Sequence, residues 1–315
     1  MCTFLVYVTS PPVVAPCSSE YGTDSMRSRR AALVALALAG QRLVSSHSFV
    51  SNININGLSY DGFRPTEPDA HPYAIGWSTA ALDQGYVNQT GYRTEEIICH
   101  RGAENARGYA PVPAGGIVHI QWNGWPQSHK GPVMDYLASC NGPSETVDKT
   151  RLRFFKINQV GLVDGSEAPG IWGSDQLIAN NNSWVVEIPR RIRPGFYVLR
   201  TEIIALHNAS YEIGAQNYPQ CINLQITGDG PDLPAGVPGQ ALYDPEDPSM
   251  HLDISGGIPE YTIPGPPPIA GIETVTLSHP MPTGSGTPRI GTAEAAIATL
   301  AEIADRIYNT LGPDV

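Results

Sequence analysis

Between residue 47 and about residue 228 the chain alternates apolar and polar side chains in short runs. Residues 117–122 (Ile-Val-His-Ile-Gln-Trp), 151–157, 184–188, 196–200 and 222–226 (Ile-Asn-Leu-Gln-Ile) read as short strands, and several of them, such as 117–122 and 222–226, alternate as strands with one face in a core do. Clusters of Gly, Pro and Asn separate them, and no amphipathic helix is expected in the stretch. This pattern predicts an all-β fold: an antiparallel immunoglobulin/fibronectin-like β-sandwich with long loops. Residues 229–268 are rich in Pro and Gly, yet Leu242, Tyr243, Leu252, Ile254, Tyr261 and Ile263 recur through them as anchors, so an ordered wrap over the sandwich is expected. Residues 269–289 look like a loose connection. The period then changes, because Ile297, Leu300, Ile303, Ile307 and Leu311 follow helical spacing, with Thr292 placed to cap and Gly312-Pro313 to stop an appended C-terminal helix.

The N-terminal part has a different grammar. Arg27, Arg29 and Arg30 lead into an apolar run from Ala31 to Ala39, followed by small residues up to Ser46. That is the order of a secretory signal peptide, and the run is far short of the ~20 residues a membrane span needs. Residues 1–46 are therefore expected to be an extension and signal, with Met26 as the start, and cleavage after Ser46 would make His47 the first mature residue. The expected division is 1–46, a domain over 47–268, and a linker with helix over 269–315.

Composition agrees with a secreted, loop-rich β-protein: 32 glycines, 29 prolines and 16% charged residues against a usual ~25%. The net charge is −11, and loss of Arg27, Arg29, Arg30 and Arg42 with Glu20 and Asp24 deepens it. Such a surface disfavours nucleic acid and anionic membranes as partners and leaves a neutral or insoluble substrate open. Three sequons, at Asn88, Asn181 and Asn208, accord with secretion as a glycoprotein. Cys2 and Cys17 precede the cleavage site, which leaves Cys99, Cys140 and Cys221, most simply one pair and one leftover.

Three of eight histidines stand out. His47 would gain a free α-amine on cleavage, giving an amine and an imidazole on one residue that can chelate one cation. His129 lies in Trp125-Pro126-Gln127-Ser128-His129-Lys130-Gly131-Pro132, and His207 ends Ala205-Leu206-His207. Each alone is equally a structural histidine.

Several ordered motifs extend the picture: Gly76-Trp77-Ser78-Thr79, Ile97-Ile98-Cys99-His100, the His129 loop, Tyr136-Leu137-Ala138, Glu202 to His207, Gln216-Asn217-Tyr218-Pro219-Gln220-Cys221 and Tyr261 to Pro266. In these motifs the chain resembles the fungal lytic polysaccharide monooxygenases of auxiliary activity family nine, once classed with the glycoside hydrolases. The resemblance covers residues 47–268. It implies one copper ion held by the amine and ring of His47 and the ring of His129, with Tyr218 axial and His207 and Gln216 placing the oxygen co-substrate. It implies dioxygen or hydrogen peroxide as co-substrate, an external electron donor or redox partner, and oxidative cleavage of cellulose or another β-glucan by a secreted monomer. It also implies a Cys99–Cys221 disulfide; Ser144 stands where relatives carry a partner for Cys140. Tyr60, Tyr73 and Tyr261 are the candidates for a flat polymer-facing surface, and each is as compatible with the core. Residue spacing alone leaves Tyr218, His207 and Gln216 open to structural roles. The alternatives are a non-catalytic copper- or carbohydrate-binding protein of the same fold, and a glycoside hydrolase.

Overall fold

The computed structural model describes residues 48–271 and 276–290. Two sheets face each other. The first has the order β13-β2-β1-β4-β9, built from β1 (Val50–Ile55), β2 (Leu58–Asp61), β4 (Ile117–Trp122), β9 (Ser183–Glu187) and the two-residue β13 (Gly284–Ser285). The second has the order β12-β6-β5-β10-β11-β3-β14, from β3 (Gly108–Pro113), β5 (Val133–Ser139), β6 (Arg153–Val160), β10 (Gly195–Ala205), β11 (Gln216–Thr227), β12 (Val237–Pro238) and β14 (Arg289–Ile290). A separate pair, β7 (Leu162–Asp164) and β8 (Ile171–Trp172), follows β6. The expected sandwich is present.

Alternation in β4 puts Val118, Ile120 and Trp122 into the inter-sheet core, where they meet Val133, Leu137, Leu199, Ile203, Tyr218, Ile222 and Leu224 of the second sheet. One polar link crosses that core: Trp184 donates its indole N–H to Asp135 Oδ2 at 2.8 Å, and Asn158 donates to the same oxygen at 3.0 Å. Burial pushes the Asp135 carboxyl up to about 6.

The second sheet is buried on both faces. Its outer face carries Val198, Ile204, Met134, Tyr136 and Cys221 beneath the loops around Tyr92, Ile97 and Tyr243. This is why β10 reads Tyr-Val-Leu-Arg-Thr-Glu-Ile-Ile-Ala rather than as a clean alternation: both parities are buried. Arg200 and Glu202 sit on that outer face at 0% exposure. The guanidinium donates to Glu202 at 2.6 and 3.0 Å and to the carbonyls of Ile98 and Ile97 at 2.7 and 2.8 Å. Those carbonyls belong to the short helix α1 (Glu96–Cys99), whose last residue forms the expected disulfide with Cys221, Cα to Cα 5.3 Å. Cys140 is buried and free.

Other elements depart from the sequence pattern. A helix, α2 (Gly173–Ala179), follows β8 where none was expected. Arg151, read as the start of a strand, instead ends the helical turn Lys149–Arg151. The wrap over 229–268 is held by buried Leu242, Tyr243 and Ile254. At the end of the expected linker two short pieces are paired: β13 joins the edge strand β2, and β14 joins the edge strand β3. Two sheet edges are thereby covered by one segment. The expected signal segment and the helix over 292–311 lie outside the described residues, as does His47. Among the described residues, no helix is long and apolar enough to cross a membrane.

Candidate metal centre

Strand register assembles the centre. β10 pairs with β5 so that Ile203 faces Val133, and the ladder continues past both strands: Ile204 N–H donates to Pro132 O at 3.1 Å and Leu206 N–H to Lys130 O at 2.8 Å. One step further, His207 falls opposite His129. Across β10 and β11, Ile203 faces Tyr218 and Ala205 faces Gln216. Side chains alternate along a strand, so His129, His207, Gln216 and Tyr218 project on one face of one sheet, at one end of it.

The rings meet accordingly. His129 and His207 stack with centroids 4.0 Å apart and planes 27° apart. His129 is 7% exposed, and its Nδ1 lies 3.1 Å from Ser128 Oγ, so the nitrogen suited to a metal is Nε2. Tyr218, fully buried, donates its hydroxyl to Gln216 Oε1 at 3.0 Å. Burial, with Tyr86 beside it, drives the phenol well above its ordinary range, which keeps it protonated as a weak neutral donor. Burial holds the His207 imidazole below its usual value, hence neutral near pH 7. Its Nδ1 is buried without a hydrogen-bond partner among the described residues. A buried, unpartnered ring nitrogen stacked on His129 is a polar group open to a further partner, and imidazole, amide and phenol groups of this kind are compatible with a bound metal.

The surroundings hold these side chains still. Trp125 donates from Nε1 to His129 O at 2.8 Å and sets its ring edge-on to both Tyr218 (5.0 Å) and His129 (6.0 Å). Gly131 packs so close to β10 that a Cβ there would lie 1.8 Å from Ile204 O. Its N–H donates to Ser174 Oγ at 3.1 Å, and Lys130 is ion-paired with Asp175, so α2 clamps the His129 loop. On the reverse face Asn217, between Gln216 and Tyr218, donates to Glu202 Oε1 at 2.8 Å and accepts from Tyr92 at 2.6 Å. None of Trp125, Gly131, Ser174 or Asn217 was singled out from the sequence. The signals were a Trp four residues before His129 in a turn, and a glycine next to a strand end.

Among the described residues no three His, Cys, Asp or Glu side chains converge on a cation position. The chain segment next to His47 lies beside the His129 loop: Asn123 Oδ1, in the loop leading to His129, accepts from Ser48 Oγ and Phe49 N–H, each at 2.9 Å, and Val50 N–H reaches Gln220 Oε1 at 3.4 Å.

Of the three tyrosines proposed for a polymer-facing surface, only Tyr73 is exposed. Tyr60 is a core residue at 4% exposure. Tyr261 packs edge-on against Trp172 and donates its hydroxyl to Ser249 O at 3.2 Å. Tyr73 is exposed, but its backbone adjoins Gly108 on the β3 edge and the Arg107 guanidinium covers its ring at 5.4 Å.

Residues 47–261 match the family model of Auxiliary Activity family 9, formerly GH61. The AA9 family lytic polysaccharide monooxygenase A of Thermoascus aurantiacus is 55% identical over 227 residues, 70% of this chain and 98% of the relative. Lytic polysaccharide monooxygenase G of Emericella nidulans is 51% identical over 249 residues, 78% of this chain and 92% of the relative. The solved extended catalytic domain of H. jecorina LPMO9A has a TM-score of 0.75 and 45% identity, covering 78% of this chain and 100% of its own.

Proposed function

Because the chain belongs to Auxiliary Activity family 9, the lytic polysaccharide monooxygenases, we propose that it is secreted, binds one copper ion, and oxidises a glycosidic carbon of cellulose or a related β-glucan. Cleavage after Ser46 frees the α-amine of His47, and that amine, the His47 ring and His129 Nε2 supply three nitrogens. Copper in such a donor set supplies one-electron chemistry toward dioxygen or hydrogen peroxide, given an external reductant.

The protein's part is positional. Ser128 Oγ lies 3.1 Å from His129 Nδ1, and by accepting the Nδ1–H it would set the tautomer that leaves Nε2 as the ligand. Tyr218, protonated and hydrogen-bonded to Gln216, would present its phenol oxygen to the metal as a weak neutral donor. Its hydrogen bond takes Gln216 Oε1, so the Gln216 amide N–H groups remain to donate to the oxygen co-substrate. His207, neutral and stacked on His129, contributes a second polar contact through Nδ1. The observation that carries this reading is the convergence of His129, His207, Gln216 and Tyr218 on one face, with His207 Nδ1 buried and unpartnered.

A glycoside hydrolase would need two carboxyl groups facing a sugar at roughly 5–9.5 Å. The fully buried carboxylates, Asp135 in the core and Glu202 against Arg200, are out of reach of a polymer. Mass spectrometry of products made with a reductant tests the proposal. Lactone, aldonic acid or ketone ends support it; native ends alone overturn it.

A further inference from the structure

β5 runs from Val133 to Ser139, so the loop that follows it emerges at the opposite end of the sheet from His129, ~20 Å away. That loop gathers polar groups that nothing around them satisfies. Cys140 is 9% exposed and its thiol is free. Ser144 is 0% exposed and its Oγ has no hydrogen-bond partner, while Glu145 buries both carboxylate oxygens with neither a hydrogen bond nor an ion pair among the described residues. The carboxylate lies near enough to the thiol to act on it electrostatically. A carboxylate withdrawn from water without a donor or a counter-ion is costly, and so is a buried hydroxyl without a partner.

The backbone around these groups is fixed from outside. Asn105 Nδ2 donates to the carbonyls of Ser144 and Val147 at 3.0 and 2.8 Å, and Cys140 N–H donates to Phe196 O at 2.9 Å. The lysine of the loop, Lys149, is committed elsewhere, since its Nζ donates to Ala103 O at 2.8 Å and pairs with Glu95 at 3.3 Å. Ser144 stands where relatives carry a partner for Cys140, which sets its side chain on the thiol's side of the loop. A cavity of about 450 Å³ opens onto Cys140, with Thr146, Asp148 and Arg151 among its walls, so an ion and water can enter.

We propose that Cys140, Ser144 and Glu145 hold one zinc ion, which staples the loop after β5 where relatives carry a pair of cysteines. Zinc in such sites is four-coordinate and takes sulfur and carboxylate oxygen together. The Cys140 sulfur supplies one bond, a Glu145 oxygen the second, the Ser144 hydroxyl the third, and water from the cavity the fourth. As the sulfur–zinc bond forms, the thiol proton leaves through the cavity to solvent, and the ion brings the positive charge that Glu145 lacks. Calcium and magnesium fit poorly, because they favour larger, all-oxygen ligand sets. The site lies apart from the histidine centre, and its assignment does not depend on the monooxygenase reading.

The test uses the chain that begins at His47, loaded with one equivalent of copper to occupy the histidines, and its variants Cys140→Ser and Glu145→Gln. Zinc sulfate is titrated by calorimetry, and bound metal is counted after dialysis. The parent should take up one further zinc ion and melt higher in its presence, and each variant should bind that ion at least ~10-fold more weakly. Cobalt(II) in place of zinc gives a readout that the histidine centre cannot supply, since Cys140 is the one free thiol of that chain. A sulfur-to-metal charge-transfer absorption in the near ultraviolet should appear when cobalt binds the parent, a measurement that stands even if a variant fails to fold. No second metal in the parent, cobalt bound without that absorption, or zinc bound equally well by folded Glu145→Gln would overturn the site.

Discussion

His129 and His207 stack at 4.0 Å because the β5–β10 ladder runs two residues past its last regular pair and sets them directly opposite each other. The same register carries Tyr218 and Gln216 to that face from the next strand. The centre is a consequence of strand pairing, so whatever fixes the pairing fixes the centre.

One such fixture is the buried pair behind it. Glu202 accepts from Arg200 and Asn217 and is also hydrogen-bonded by Tyr243. Glu202→Gln should cost ~3–5 kcal/mol, because it leaves the guanidinium buried without its counter-ion. Denaturant unfolding of the variant measures this, and a loss under ~1 kcal/mol would show that Arg200 is served by the Ile97 and Ile98 carbonyls alone.

The acid dependence of stability has two opposed contributions. Burial pushes the His100 imidazole down to about 4, with Arg101 N–H donating to Nδ1 and Nε2 lying 3.0 Å from Gly85 O. The folded state therefore takes up that proton later than the unfolded chain, and the stabilisation present above ~6.5 is lost as pH falls toward 4. Asp135, pushed up to about 6, takes up its proton earlier, so it favours the folded state in acid and loses that contribution as pH rises through 6. Asp135→Asn removes the second effect and keeps the first. Relative to the parent, its stability should fall by up to ~3 kcal/mol between pH 6.5 and 4. Parallel pH profiles would contradict the assignment.

Free thiols should number one in the unfolded chain that begins at His47, since Cys99 and Cys221 are joined. In the folded protein Cys140 should react slowly, because burial pushes its thiol up to about 12. Rapid labelling of the native protein, or three thiols after unfolding, would contradict the structure.

Residues 284–290 cover the edges of both sheets, with Thr283 N–H and Gly286 N–H donating to Gly57 and Ser59 carbonyls at 2.8 and 2.7 Å. A chain ending at residue 275 should be roughly 2–4 kcal/mol less stable than one ending at 290. Equal melting temperatures would mean that these edges need no cover.

The strands legible in the sequence were those with one face in the core, such as β4, whose period of two survives intact. β10 was legible only as a short, largely apolar run, Phe196 to Arg200, without a clean period, because loops bury its second face. The β7–β8 pair, β13 and β14 were not legible: two or three residues carry no period, and the partners of β13 and β14 lie far away in sequence. At the site, the motifs brought His129, His207, Gln216 and Tyr218 forward through family resemblance, while their convergence depends on register, which no single motif encodes. Trp125 and Gly131 were passed over because their roles are contacts to neighbouring backbone. Tyr60 illustrates the opposite error, since an aromatic in a polar strand can belong to the core.

The central claim is that His47 completes the metal centre by its free amine. Copper affinity should be compared by isothermal titration for the chain beginning at His47 and for the same chain with one Gly added before it. The amide nitrogen created by the added Gly has no basic lone pair, so affinity should drop by more than ~100-fold and oxidised cellulose ends should disappear, while the metal-free melting temperature stays the same. Equal copper affinity and equal oxidised product from the extended chain would contradict the account.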